Sequence, residues 1–231
     1  MRGETERARA LAEAGRRLAA PGDTSAKLWE TARLAARTVP GCDHAGITLV
    51  RRGAGLATPV YTGPTALAAD QLQYDLDEGP CVEVAREGVR WRRLVDTATD
   101  DTWPRFARGA RDLGVGSVIS CALHAPKGVI GALNLYAEAP GCYGPGAREV
   151  ALLFAAQAGS LLAAARAADS LRRAIETRER VGVATGILME RHKMPADRAL
   201  ERLAEVARNE GVPVREVADR VIETGRDPGR G

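Results

Sequence analysis

Arg173, Arg180 and Arg191 are separated by seven and eleven residues, close to whole turns of an α-helix, so a helix over this stretch carries them on one face. A row of guanidiniums can follow a phosphate backbone, each offering a planar fork of donors. Arg178, His192, Lys193, Arg198 and Arg215 are further candidate contacts. Glu176, Glu179 and Glu190 lie among them, so the same arginines are also suited to ion pairs on a solvated face. Gly182 and Gly186 lie four apart in the same stretch. Glycine inside a helix costs roughly 1 kcal/mol relative to alanine, and the pair predicts that another backbone comes close. Either a nucleic-acid loop or a neighbouring helix fits.

A second constellation is smaller. Glu78 and Cys81 flank Gly79-Pro80, the form of a helix start. The dipole there predicts a lowered thiol pKa for Cys81 and makes it the best redox candidate; a buried, inert thiol is the other reading. Tyr74, Trp91, Trp103 and Phe106 fall near predicted loops and, with Glu78, Cys81, Cys121 and Asn134, are the candidate lining of a pocket. Cys42, Cys81, Cys121 and Cys142 are far apart in sequence with no CxxC, which predicts neither a zinc site nor a redox pair. His44 and His124 lack the paired spacing of metal ligands. No haem or bilin attachment and no other cofactor is implied.

The elements that must position these groups follow from pattern. The chain has 231 residues, 45% apolar and only 4% aromatic, with a net charge of +3, which suits one or two domains with aliphatic cores. The charged N-terminus lacks the apolar core of a signal peptide and no apolar run approaches a membrane span, so the reading is cytoplasmic with no membrane partner. Amphipathic helices are predicted over 4–19 and 25–38, separated by Pro21-Gly22-Asp23, with Asp23 or Thr24 as cap. Strands are predicted at 45–51, 57–61, 89–94, 115–124 and 129–136, the last two forming a hairpin around Pro126-Lys127-Gly128. Short helices are predicted at 64–77, 79–88 and 102–113. This order gives an α+β domain with a central antiparallel sheet.

No proline interrupts 146–192. Heptad seams run through Ala147, Phe154, Leu161, Ala168, Ile175, Gly182 and Met189, and through Val150, Gln157, Ala164, Leu171, Arg178 and Thr185. They predict a coiled coil and a homodimer contact over Phe154–Ile175, or a helix folded back on its own sheet. Helices at 195–209 and 214–224 complete an all-α tail.

Two stretches resemble known families. Tyr74-Asp-Leu-Asp-Glu-Gly-Pro-Cys-Val82, Trp103-Pro-Arg-Phe106, Leu113–Leu123 and Gly131-Ala-Leu-Asn-Leu-Tyr136 resemble a GAF domain. Ala174-Ile-Glu-Thr-Arg178, Ala184-Thr-Gly-Ile-Leu-Met-Glu-Arg-His192, Ala196-Asp-Arg-Ala199 and Val217-Ala-Asp-Arg-Val221 resemble an ANTAR domain. The implied organisation is an N-terminal helix over 1–24, a GAF-like sensor domain over 25–165, a three-helix ANTAR-like RNA-binding domain over 166–225 and a disordered tail over 226–231. The resemblance implies a transcription antitermination regulator that binds paired RNA hairpins as a dimer, with the GAF part taking an unnamed small-molecule signal and no catalytic role. The RNA-contacting residues it suggests are Arg173, Arg178, Arg180, Ala184, Thr185, Gly186, Met189, Arg191, His192, Lys193, Arg198 and Arg215. Members of that family usually carry Lys where Thr185 stands, so a charge is absent here. The tail helices hold no aromatic residue, leaving shape, backbone contacts and small side chains for recognition. Two alternatives stay open: a DNA-binding helix-turn-helix over 199–222, with 214–222 as reading helix, and a GAF-fold redox enzyme using Cys81 with Cys121.

Overall fold

The computed structural model describes residues 23–227 except 52 and 54; the helix expected at 4–19 lies outside them. Two compact units divide the chain, 1–165 and 166–231.

In the first unit, α1 (Thr24–Thr38) begins where the Asp23 carboxylate accepts from the Ala26 N–H at 3.0 Å, a cap contributing about 1 kcal/mol. Strands β1 (His44–Arg51) and β2 (Gly55–Tyr61) follow, then α2 (Pro64–Leu76), α3 (Pro80–Glu87), β3 (Trp91–Leu94), α4 (Pro104–Asp112), β4 (Ser117–Ala125) and β5 (Gly128–Ala137). The five strands form one antiparallel sheet in the order β2-β1-β5-β4-β3. Side chains alternate across a strand, and both faces of this sheet are covered. Ile47, Ile119, Cys121, Leu123, Leu133 and Leu135 pack with Leu28, Ala32 and Ala35 of α1. The same cluster takes Val150, Phe154, Ala158 and Leu162 from α5 (Pro145–His192). On the opposite face Val118 and Tyr136 meet Ala66 and Ala69 of α2 and Phe106, Ala107 and Ala110 of α4, while Ala122 and Ala132 meet Cys81 and Val84 of α3.

The heptad reading of α5 therefore needs correction in its first half. Ala147, Val150 and Phe154 are buried against the unit's own sheet and are not free to form an intermolecular seam. The close approach expected at Gly182 and Gly186 occurs instead at Gly159, where an added Cβ would lie 2.8 Å from the His124 carbonyl oxygen. Around Gly182 and Gly186 there is open space. An 18-residue window of α5 is also long and apolar enough to cross a membrane by composition, against the expectation from the sequence. Val150, Ala151, Phe154, Ala155, Ala158 and Leu162 give that helix an apolar inner face buried on the sheet, which covers 39% of the window.

In the second unit the C-terminal part of α5 packs with α6 (Ala196–Glu210) and α7 (Val214–Thr224). Ala184, Leu188, Ala199, Leu203, Val217, Ala218 and Val221 form its core. Gly211 and Gly225 end α6 and α7 in left-handed caps. Asp227 accepts from the His192 ring at 2.5 Å and from Arg202 at 3.3 Å, so the tail expected to be disordered from 226 is tied down at its second residue.

Candidate functional site

The candidate pocket residues of the first unit separate into four groups. Tyr74, Cys81 and Asn134 come together in a buried polar network that sequence patterns leave mostly unseen. Its centre is Asp70 of α2, fully buried. The Asp70 carboxylate accepts from Thr58 Oγ1 at 2.7 Å, from Asn134 Nδ2 at 2.7 Å and from the Tyr136 hydroxyl. Because Thr58 donates to Asp70, the Tyr74 hydroxyl, 2.6 Å from both Thr58 and Thr48, donates to Thr58 and accepts from Thr48. Thr48 in turn accepts from Asn134 Nδ2 at 2.8 Å and from the Cys81 thiol at 3.3 Å. Gln73 donates to the Tyr136 hydroxyl and accepts from the Cys81 N–H at 2.8 Å. Gly46 of β1 makes the room: a Cβ there would sit 2.5 Å from Asp70 Oδ2. The Asn134 side-chain oxygen alone in this network is buried without a partner.

The partners of Asp70 are all neutral, and burial wins: its pKa is pushed up to about 6 despite three donated hydrogen bonds. Burial, and then the nearby Asp70 charge, push the Cys81 thiol up to about 12. This overturns the lowered pKa expected from the helix start; the fully buried sulfur loses more from desolvation than the dipole returns. Cys121 is likewise raised to about 12 by burial. It lies in the cluster under α1 and α5, whereas Cys81 lies under α3. The two are on opposite faces of the sheet and do not form the pair a redox enzyme would need.

Trp91 lies opposite Cys121 in the sheet register and packs on that same cluster, with the Arg148 guanidinium 5.0 Å from its ring centroid. Trp103 and Phe106 are core residues beside Tyr136. Glu78 serves the fold rather than a ligand. One of its carboxylate oxygens accepts from the backbone N–H groups of Arg105 at 2.7 Å and Phe106 at 3.0 Å, capping α4, whose own N-cap residue supplies no side-chain bond. Glu78→Ala is expected to lower the stability of the first unit by about 1 kcal/mol, read as a shift in urea midpoint at unchanged slope.

In the second unit the candidate contacts also sort by environment. Ala184 is fully buried in the helical core and cannot face a ligand, and Met189 packs partly on that core. Arg180 is paired with Asp219, Lys193 with Glu190, and Arg198 with Glu201 at 3.1 Å. Arg215 lies 3.5 Å from Glu176 and 3.8 Å from Asp219, and His192 holds Asp227. Thr185 donates its hydroxyl to the Val181 carbonyl one turn back, at 2.7 Å. Arg173, Arg178 and Arg191 are exposed and take part in no ion pair among the described residues. On the same helix face as Arg178 lie Gly182 and Gly186, with nothing within 4 Å of where their Cβ atoms would be. Alanine at either glycine is expected to raise the thermal stability of the tail, by up to about 1 kcal/mol per site, in a calorimetric comparison.

Against known families, the model of the GAF domain matches residues 24–163 and that of the ANTAR domain matches residues 169–222. The chain belongs to the GAF family and carries an ANTAR domain behind it. A search of the curated proteins finds no match. Among solved structures, the chromophore-binding domain of an unusual bacteriophytochrome from R. palustris aligns with a TM-score of 0.58 at 13% identity, over 73% of this chain and 64% of that one. The GAF domain of a phosphoenolpyruvate-protein phosphotransferase from Coxiella burnetii aligns at 0.56 and 13%, over 71% and 96%. That of the Acinetobacter phosphotransferase aligns at 0.53 and 15%, over 68% and 93%. At these identities the likeness is one of fold. A GAF sensor domain followed by an ANTAR domain is the architecture of a regulator.

Proposed function

We propose that the ANTAR domain binds RNA hairpins and that the GAF domain, in response to a signal, controls that binding and so transcription antitermination in the cytoplasm. The observation that carries this reading is the exposed α5 face on which unpaired Arg178 stands beside two glycines that leave the helix backbone bare. A phosphate backbone or loop can approach such a face closely, and Arg173 and Arg191 extend the positive charge around the helix. The DNA-reading alternative has less support: on α7, Arg215 and Arg220 are engaged by Glu176, Asp219 and Glu210, and Val217, Ala218 and Val221 are buried.

Homodimerisation, in this reading, uses the exposed Leu171 and Ile175 of α5 rather than the buried Phe154. In the GAF domain a small-molecule signal would have to open the packing over the fully buried Cys81 and Asn134 before a ligand donor could satisfy the Asn134 oxygen.

Gel shifts of the full chain with a paired-hairpin RNA and with a DNA duplex of equal length test the reading. The expected result is a shift with RNA at concentrations where DNA stays free. Equal or tighter binding of the duplex sinks it. Monomeric behaviour in light scattering at micromolar concentration sinks the dimer.

A further inference from the structure

Two Pro-Gly-Cys triplets stand a hundred residues apart, Pro40-Gly41-Cys42 between α1 and β1 and Pro140-Gly141-Cys142 between β5 and α5. Both glycines are left-handed, with φ of 77° and 72°. The sheet brings the triplets together, because β1 and β5 are neighbours with His44 opposite Tyr136. A Cβ on Gly41 would lie 2.7 Å from Cys142 Cβ and 3.2 Å from its Sγ, so glycine at 41 makes the space that Cys142 occupies. Cys42 is the next residue, its Cα about 3.8 Å further along the chain. Neighbouring Tyr143 is buried, and its hydroxyl has no aligned hydrogen-bond partner. That hydroxyl lies beside the Cys42 thiol, with the Cys142 thiol near enough to influence it. Both cysteines are free and partly exposed, in contrast to Cys81 and Cys121, although burial pushes the Cys42 thiol up to about 12 as it does theirs. A buried hydroxyl left unpaired costs about 1–3 kcal/mol, and this one faces sulfur.

We propose that Cys42 and Cys142 form an oxidation site for hydroperoxides, closing to a disulfide, with the Tyr143 hydroxyl donating to the oxygen of the oxidised sulfur on the way. Cys142, the more exposed of the two, reacts first. Its thiolate attacks one oxygen of the hydroperoxide and the O–O bond breaks. The sulfur becomes a sulfenic acid, two electrons more oxidised, and the other oxygen leaves with a proton as an alcohol or water. The Cys42 thiol then attacks Cys142 Sγ, giving up its proton to the departing hydroxyl. The S–O bond breaks, the hydroxyl leaves with a proton as water, and the S–S bond forms. Two thiols and one hydroperoxide thus give a disulfide, one alcohol or water, and one further water. The bond ties the loop before β1 to the loop that starts α5 at Pro145. This chemistry holds whether or not the tail binds RNA.

Peptide mass mapping of the full chain after hydrogen peroxide treatment and alkylation tests it. The expected product is an intramolecular link between the Cys42 and Cys142 peptides, lost in Cys42→Ser and in Cys142→Ser. In Cys42→Ser a 1,3-dione probe is expected to trap sulfenic acid at Cys142, with less trapped once Tyr143→Phe is added. A link through Cys81 or Cys121, a link between separate chains only, or Cys42 and Cys142 both still alkylated would each overturn the proposal. Because the wild-type map is decisive by itself, a serine variant that fails to fold leaves the test intact.

Discussion

Asp70→Asn is expected to gain about 2.5 kcal/mol on the wild-type protein as pH rises from about 4 to about 7.5, measured as the difference between their urea unfolding free energies. The sign follows from the buried carboxyl. Its folded pKa, about 6, lies above the ordinary 3.8, so the folded state holds the proton more tightly than the unfolded chain. The stability tied to that proton is complete below the ordinary value and is lost as pH rises through the folded one. Asparagine carries no titrating proton, so the window disappears. Absolute stability of the variant at pH 4 should be lower than wild type, because an amide presents an N–H₂ to a site where Tyr136, Thr58 and Asn134 all donate. Taking the difference removes the other carboxylates, which titrate in both proteins. Curves that stay parallel across the window would show that Asp70 ionises no less readily folded than unfolded.

The second large effect concerns RNA. Arg178→Ala and Arg191→Ala are each expected to weaken hairpin binding by roughly tenfold and to reduce the dependence of log K on log salt by about one ion, with the unfolding midpoint unchanged. Arg180→Ala should behave in the opposite way. Its guanidinium is held by Asp219 and is half-buried, so its removal leaves that carboxylate only the longer contact to Arg215 and lowers stability more than it alters the salt slope. Wild-type affinity in both of the first two variants would remove this face of α5 from the interface. Gly182→Ala separates the contributions further: a more stable protein that binds RNA less well is the signature of close approach by the ligand.

The near-continuous apolar runs of Val118 to Leu123 and of Ile130 to Tyr136 made this hairpin readable from sequence, since each strand is long and covered on both faces. The helix ends were equally legible, with Pro at the first turn of α2, α3 and α4 and Gly after α6 and α7. Heptad spacing misled at Phe154 because a helix covering a sheet and a helix covering another helix bury the same periodic stripe. At Cys81 the error was one of competing effects: position at a helix start is visible in sequence, and complete burial is not. Asp70 was missed for the same reason. A lone acidic residue in a helical stretch reads as solvent-facing, and only the stacking of α2 over Thr48, Thr58, Asn134 and Tyr136 makes it a hub. The row of Arg173, Arg180 and Arg191 was sound as helix geometry, but Asp219 on a later helix claims its middle member. Charge balance counted along the sequence could not say which arginines would be left unpaired.

The stretch of α5 between Leu162 and Val181 has almost no buried side chain. An isolated helix of that length is marginal in water, because its nucleation cost is repaid only over many residues. It holds its shape by being extended from turns that are packed at both ends. Unfolding either end should therefore let the stretch unwind and open it to proteolysis, with cleavage between Arg166 and Arg180 appearing earlier than anywhere else in the described chain.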